Sequence, residues 1–233
     1  MNKILTILII GAILLGSTRI ISNSNFNSLT PPKNSDVKSL IIHNVPFAAQ
    51  AALGNWEDER QADGCEEAST LMAMMWIKNF NLTKEEAKTM IIKISDYEKN
   101  TYGSYVDTSI EDSAKRIIEG YFGYKNYKLI YDFDLQTLIN KIYDGNIIIL
   151  PVNGNKLANP HFRIPGPVKH MLVLVGYDPE TKKFITNDPG TKFGQQYKYD
   201  EQHLYDVIKN YQTTNHNESL TDKSAILLKK YIF

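Results

Sequence analysis

Apolar residues in the first half of the chain recur three and four positions apart, whereas in the second half they gather in short unbroken runs. The period therefore changes from helical to strand-like midway. From Cys65 onward Ala68, Leu71, Met72, Met75 and Trp76 share one helical face behind the turn pair Asp63-Gly64, which predicts a helix to about Phe80. Thr83-Lys84-Glu85-Glu86 is a capping box and predicts a second helix to about Lys99, with Ala87, Met90, Ile91 and Ile94 as its buried stripe. A third helix starts near Thr108 and buries Ile110, Ala114, Ile117, Ile118 and Tyr121. Ahead of these, residues 40–50 predict a short strand running into an extended segment, with Pro46 confining it to an edge or a strand end.

Beyond the third helix, residues 127–131 predict a strand, and Leu135, Leu138, Ile139 and Ile142 a helix that stops at Asp144-Gly145. Residues 146–152 form the clearest buried strand. After a loop rich in Asn, Gly and Pro (153–168), residues 170–177 and 183–189 flank the turn Asp178-Pro179-Glu180 and predict an antiparallel hairpin. A helix at 201–210 and a strand at 224–231 close the chain. Helices followed by strands argue an α+β fold, an N-terminal helical layer packed on an antiparallel sheet, with one domain over residues 39–233. Met1-Asn2-Lys3 and the apolar run 4–15 read as the basic and hydrophobic regions of an export signal, so residues 1–21 are expected to be a signal peptide or an N-terminal membrane anchor. Gly16-Ser17-Thr18 offers small residues for cleavage, and Arg19-Ile20-Ile21 extends the run toward an uncleaved anchor, so both remain open. Residues 22–38 read as a polar linker.

Composition narrows the function. At 233 residues with 42% hydrophobic content the chain can bury a full core. Lys+Arg and Asp+Glu both count 26, so charge makes no case for nucleic acid or an anionic membrane surface. The single cysteine forbids an internal disulfide or a multi-thiolate zinc site, and the five histidines are scattered; no metal or cofactor is expected. No phosphate loop or dinucleotide fingerprint is found.

That one cysteine, Cys65, sits where a turn becomes a helix. Unpaired N–H groups and the positive end of the helix dipole there favour the thiolate, the reactive form. The competing explanation is a small buried hydrophobe. Nucleophilic catalysis by cysteine also needs a base and a group that orients it. His170 heads one strand of the hairpin and Asp188 ends the other, so the hairpin would bring both side chains to one end of the sheet. Taken singly, His170 reads equally well as a strand-end residue satisfied by backbone, and Asp188-Pro189-Gly190 as an ordinary turn.

Taken together, Val45-Pro-Phe-Ala-Ala-Gln50, Cys65-Glu-Glu-Ala-Ser69, Lys169-His-Met-Leu-Val-Leu-Val-Gly-Tyr-Asp178 and Ile185-Thr-Asn-Asp-Pro-Gly190 resemble the cysteine peptidase family 39-like domains. These have a papain-like fold and are related to the bacteriocin-processing peptidases. The resemblance implies Cys65 as nucleophile, His170 as general base and acid, Asp188 as orienting residue, and a glutamine as oxyanion donor. Gln50 is preferred for that last role, with Gln61 as the alternative. Where the bacteriocin-processing relatives usually have Cys-Gly-Pro, Glu66 and Glu67 follow the cysteine here. A carboxylate close to the sulfur would raise the thiol pKa, but successive helical side chains point about a quarter-turn apart, so neither need face it. The expected function is an exported thiol hydrolase, a cysteine-type peptidase, acting as a monomer on a peptide or protein, with membrane contact only through an N-terminal anchor. A cell-wall peptide amidase or acyltransferase, or a catalytically idle binding domain of the same fold, are the alternatives.

Overall fold

The computed structural model describes residues 38–213 and 223–230. The expected signal peptide or anchor, and all but the last residue of the linker, lie outside the described residues. The strands are β1 (Ile41–Ile42), β2 (Tyr127–Tyr131), β3 (Asn146–Asn153), β4 (Lys169–Asp178), β5 (Lys183–Asn187), β6 (Tyr197–Asp200) and β7 (Ser224–Lys229). All pair antiparallel in one seven-stranded sheet of order β2-β7-β3-β4-β5-β6, with β1 on β4. The helices are α1 (Glu59–Ala62), α2 (Cys65–Ile77), α3 (Lys84–Tyr102), α4 (Ile110–Asp112), α5 (Leu135–Tyr143) and α6 (Glu201–Val207). The fold is α+β, and the helical half precedes most of the sheet in the chain.

Both faces of the sheet are covered. On β3, Ile147 and Ile149 join a core with Leu71, Met72, Ile91 and Ile117 of the N-terminal helical layer, whereas Ile148 and Leu150 join a second core with Leu138, Ile142 and Leu204. Alternate side chains of a strand point to opposite faces, so a strand covered on both sides reads as an unbroken apolar run. Each such side chain, fully buried, stabilises the fold by roughly 1.5–3 kcal/mol.

Two of the expected helices depart from expectation, and α1 and β6 were not expected at all. Helix α2 was expected to bury one face, but every residue from Cys65 to Trp76 is buried, including Glu66, Glu67, Ser69 and Thr70. It is packed between the sheet and α3, so its polar side chains must find partners inside. The third helix is only briefly α-helical, because α4 continues as a π-helical segment, Ser113–Tyr121, in which the Phe122 N–H donates to Ile117 O at 3.0 Å. The segment 40–50 gives the short strand expected, the two residues of β1, and at its far end the Gln50 N–H donates to Pro189 O at 2.9 Å. The capping box of α3 is formed in full, with Thr83 and Glu86 each bonding the other's backbone.

Candidate active site

The hairpin of β4 and β5 is in register from Asp178↔Lys183 to Val173↔Asn187, with a bulge between Leu174 and Gly176. His170, near the start of β4, and Asp188, just past β5, therefore come to the same end of the sheet. His170 Nε2 lies 2.8 Å from Asp188 Oδ1, and both side chains are buried. With the carboxylate ionised, Nε2–H is the donor, and Nδ1 is left as the basic nitrogen.

Asp188 is held from four sides. Oδ1 also accepts the Gly190 N–H at 3.0 Å, while Oδ2 accepts from the Tyr199 hydroxyl at 2.6 Å and from Asn159 Nδ2 at 3.2 Å. Asn159 Nδ2 reaches Tyr199 Oη as well, at 2.7 Å. Burial pushes the Asp188 carboxyl up, but the His170 charge and these hydrogen bonds outweigh it and hold the pKa below the ordinary value. The Phe162 ring stands edge-on to His170, with centroids 5.3 Å apart. At Gly190 a Cβ would lie 3.0 Å from His170 Cε1 and 2.8 Å from Phe162 Cε1, and at Gly194 it would overlap the Asp188 carbonyl oxygen at 1.8 Å. Glycine at both positions lets the backbone close around the pair.

Cys65 opens α2, and one turn later Ser69 Oγ donates to Met171 O at 3.0 Å, which ties the start of the helix to the residue following His170. Cys65 and His170 line one cleft of about 880 Å³, together with Gln50, Glu66, Asp107 and Lys169. The thiol donates to Glu66 Oε2 at 3.0 Å, and Glu66 Oε1 accepts from the Tyr211 hydroxyl at 2.5 Å. Burial first, and the Glu66 charge and hydrogen bond second, push the thiol well above its ordinary pKa. The helix start was expected to favour the thiolate; desolvation and the adjacent carboxylate reverse that. Glu66 does face the sulfur: α2 is buried all round, and at the edge of the cleft its carboxylate turns toward Cys65 and Tyr211. Glu67 points the other way, accepting from Ser95 Oγ at 3.0 Å. Burial pushes Glu66 up to about 7 and Glu98, which accepts from Thr108 Oγ1, up to about 8; burial and the Glu98 charge push Glu67 well above the carboxylate range.

Of the two glutamines, Gln50 lines the cleft and Gln61 is buried behind it. Gln50 Nε2 donates to Ala62 O at 2.7 Å and Gln61 O at 3.1 Å, carbonyls of the stretch leading into Cys65. Lys169 Nζ pairs with Asp107 Oδ2 at 3.3 Å and stands 5.4 Å from the Tyr211 ring centroid. The rim carries exposed apolar side chains: Leu53, Trp56, Ile164 and Phe193. Among the described residues no group of His, Cys, Asp and Glu is arranged to hold a metal ion. Sequence reasoning missed Tyr199, Asn159 and Tyr211. Tyr197-Lys198-Tyr199 carries the alternation of a strand, which signals β6 but not the partner of its second tyrosine.

A family model described as "Peptidase_C39 like family" matches residues 42–219. Among solved structures, one described as a "putative C39-like peptidase" from Bacillus anthracis aligns with 84% of this chain and 100% of that chain, at 14% identity and a TM-score of 0.49. No curated protein matches the chain.

Proposed function

The chain belongs to the peptidase C39-like family, and from that premise we propose that it is an exported cysteine-type peptidase that hydrolyses an amide bond of a peptide or protein. Cys65 is the nucleophile, His170 the general base and acid, and Asp188 the residue that orients the imidazole. The observation that carries this reading is the buried His170–Asp188 hydrogen bond of 2.8 Å, which leaves Nδ1 as the base beside a cleft that Cys65 also lines. Export rests on the basic and apolar pattern of residues 1–15. Among the described residues no helix is long and apolar enough to cross a membrane.

In the reaction His170 Nδ1 takes the thiol proton as Sγ bonds to the carbonyl carbon, and the C=O electron pair moves onto oxygen. The Cys65 N–H and the Gln50 amide receive the oxyanion, Gln50 giving up its longer bond to Gln61 O. Collapse breaks the C–N bond, the imidazolium returns its proton to the leaving amine, and water then releases the acyl group.

The apolar rim favours a peptide with large apolar side chains near the scissile bond over a cell-wall glycopeptide. Incubation of the full chain with a mixed peptide library, and separately with purified peptidoglycan, tests this. Cleavage beside Leu, Phe or Met is expected, absent in Cys65→Ala. Release of cell-wall fragments without peptide cleavage would replace peptidase by amidase, and no turnover of either would favour the idle binding domain.

A further inference from the structure

We propose that Glu66 is itself a catalytic residue, the group that holds the Cys65 proton in the resting enzyme, so that the thiol stays neutral until His170 removes its proton during attack. The inference rests on the reading of Cys65 as nucleophile and replaces a standing thiolate–imidazolium pair with general-base catalysis.

The geometry supporting it is a chain of two hydrogen bonds through one buried carboxylate. Sγ–H donates to Oε2 at 3.0 Å, and the Tyr211 hydroxyl donates to Oε1 at 2.5 Å. In its ionised form, which prevails above about pH 7, the Glu66 carboxylate accepts hydrogen bonds and cannot donate them, so its partner on the sulfur side then carries the proton. The Tyr211 bond fixes the carboxylate in place and supports its charge. The surrounding groups act in both directions. Glu67 on α2, Glu98 on α3 and Asp107 in the following loop disfavour the Glu66 anion, while Lys169 on β4 stands over the Tyr211 ring and pairs with Asp107. Glu66 thus charges only near neutral pH, about 7, and the ionised form opposes a second negative charge on sulfur.

The proton inventory closes over one turnover. At rest the proton is on Sγ, bonded to Glu66; on attack it passes to His170 Nδ1; on collapse it leaves with the amine. When water attacks the acyl-enzyme, His170 takes a proton from the water and returns it to sulfur as the S–C bond breaks. Glu66 ends each cycle as it began, again accepting from the thiol.

Because Cys65 is the only cysteine, the infrared S–H stretch of the full chain reports this one proton. In wild type the band should be present at pH 7 and persist well above pH 8.5, the ordinary thiol midpoint of ~8.5. In Glu66→Gln, which keeps the shape and removes the charge, the midpoint should fall by ~1 pH unit or more, and iodoacetamide should alkylate Cys65 about tenfold faster at pH 7.5. A wild-type protein lacking the S–H band at pH 7 would overturn the proposal with no variant needed. An unchanged or higher midpoint in folded Glu66→Gln would also overturn it. If the S–H results hold while hydrolysis survives in Cys65→Ala, the peptidase reading fails and the proton assignment stands.

Discussion

Replacing His170 by alanine is expected to lower kcat/KM for peptide cleavage about 10⁴-fold or more, a loss of about 5 kcal/mol of transition-state stabilisation or greater. The buried thiol has a raised pKa, so little thiolate forms unaided and the base carries most of the activation. Asp188→Asn should fall about 10²–10⁴-fold for a separate reason. An amide nitrogen facing Nε2 would force the proton onto Nδ1, the nitrogen that has to accept from sulfur. Tyr199 and Asn159, the two donors to Oδ2, would hold the amide oxygen on their side and so turn its nitrogen toward Nε2. Steady-state kinetics on a cleaved library peptide, with melting curves to confirm folding, measure both. A His170→Ala enzyme within tenfold of wild type would remove His170 from the chemistry.

The fold should be most stable in mildly acidic solution and lose stability as pH rises from 5 to 8.5, by a few kcal/mol, lowering Tm by roughly 5–15 °C. The direction follows from the buried acids. Glu66, at about 7, and Glu98, at about 8, lie above the ordinary carboxyl value, and Glu67 is pushed the same way. Above the unfolded value of ~4.5 the unfolded chain releases these protons while the folded chain keeps them. Their contribution is therefore complete below that value and disappears as pH climbs through the folded values. Asp188, held below the ordinary value, and Asp178, which its pairing with Lys198 depresses to about 2, act oppositely: their contribution is present above the ordinary aspartate value and disappears as pH falls through their lowered ones. The maximum consequently falls near pH 4–5. Thermal melts across pH 4–9 measure this, and Glu98→Gln should flatten the fall above pH 6. A Tm that rises from pH 5 to 8.5 would mean that the three glutamates are ionised in the folded chain at little cost.

Local signals carried much of the fold. The Thr83–Glu86 capping box, the unbroken run of β3 and the hairpin turn at 178–180 each depend on residues close in sequence, and each element appears where those residues lie. The hairpin also brings His170 within 2.8 Å of Asp188, a contact across 18 positions that the turn and the bulge between Leu174 and Gly176 set together. Contacts made across long separations were not legible. Tyr211 reaches Glu66 across 145 residues, and no local pattern marks it. The burial of α2 on every side depends on layers contributed by α3 and β4, so an amphipathic stripe was expected where a wholly enclosed helix occurs. That enclosure is also why the direction of Glu66 escaped prediction. On a surface helix the carboxylate would turn to water, whereas here the sulfur and a tyrosine are its accessible partners.

The nucleophile can be tested directly by stoichiometric labelling of the full chain with a peptidyl chloromethyl ketone bearing a large apolar side chain, followed by peptide mapping and residual activity measured on the same samples. The expected result is one adduct per chain, on Cys65, with peptidase activity falling in proportion to labelling and the rate of labelling sharply reduced in His170→Ala. Full labelling of Cys65 with activity retained, or inactivation with Cys65 unmodified, would contradict the assignment of this thiol as the attacking group.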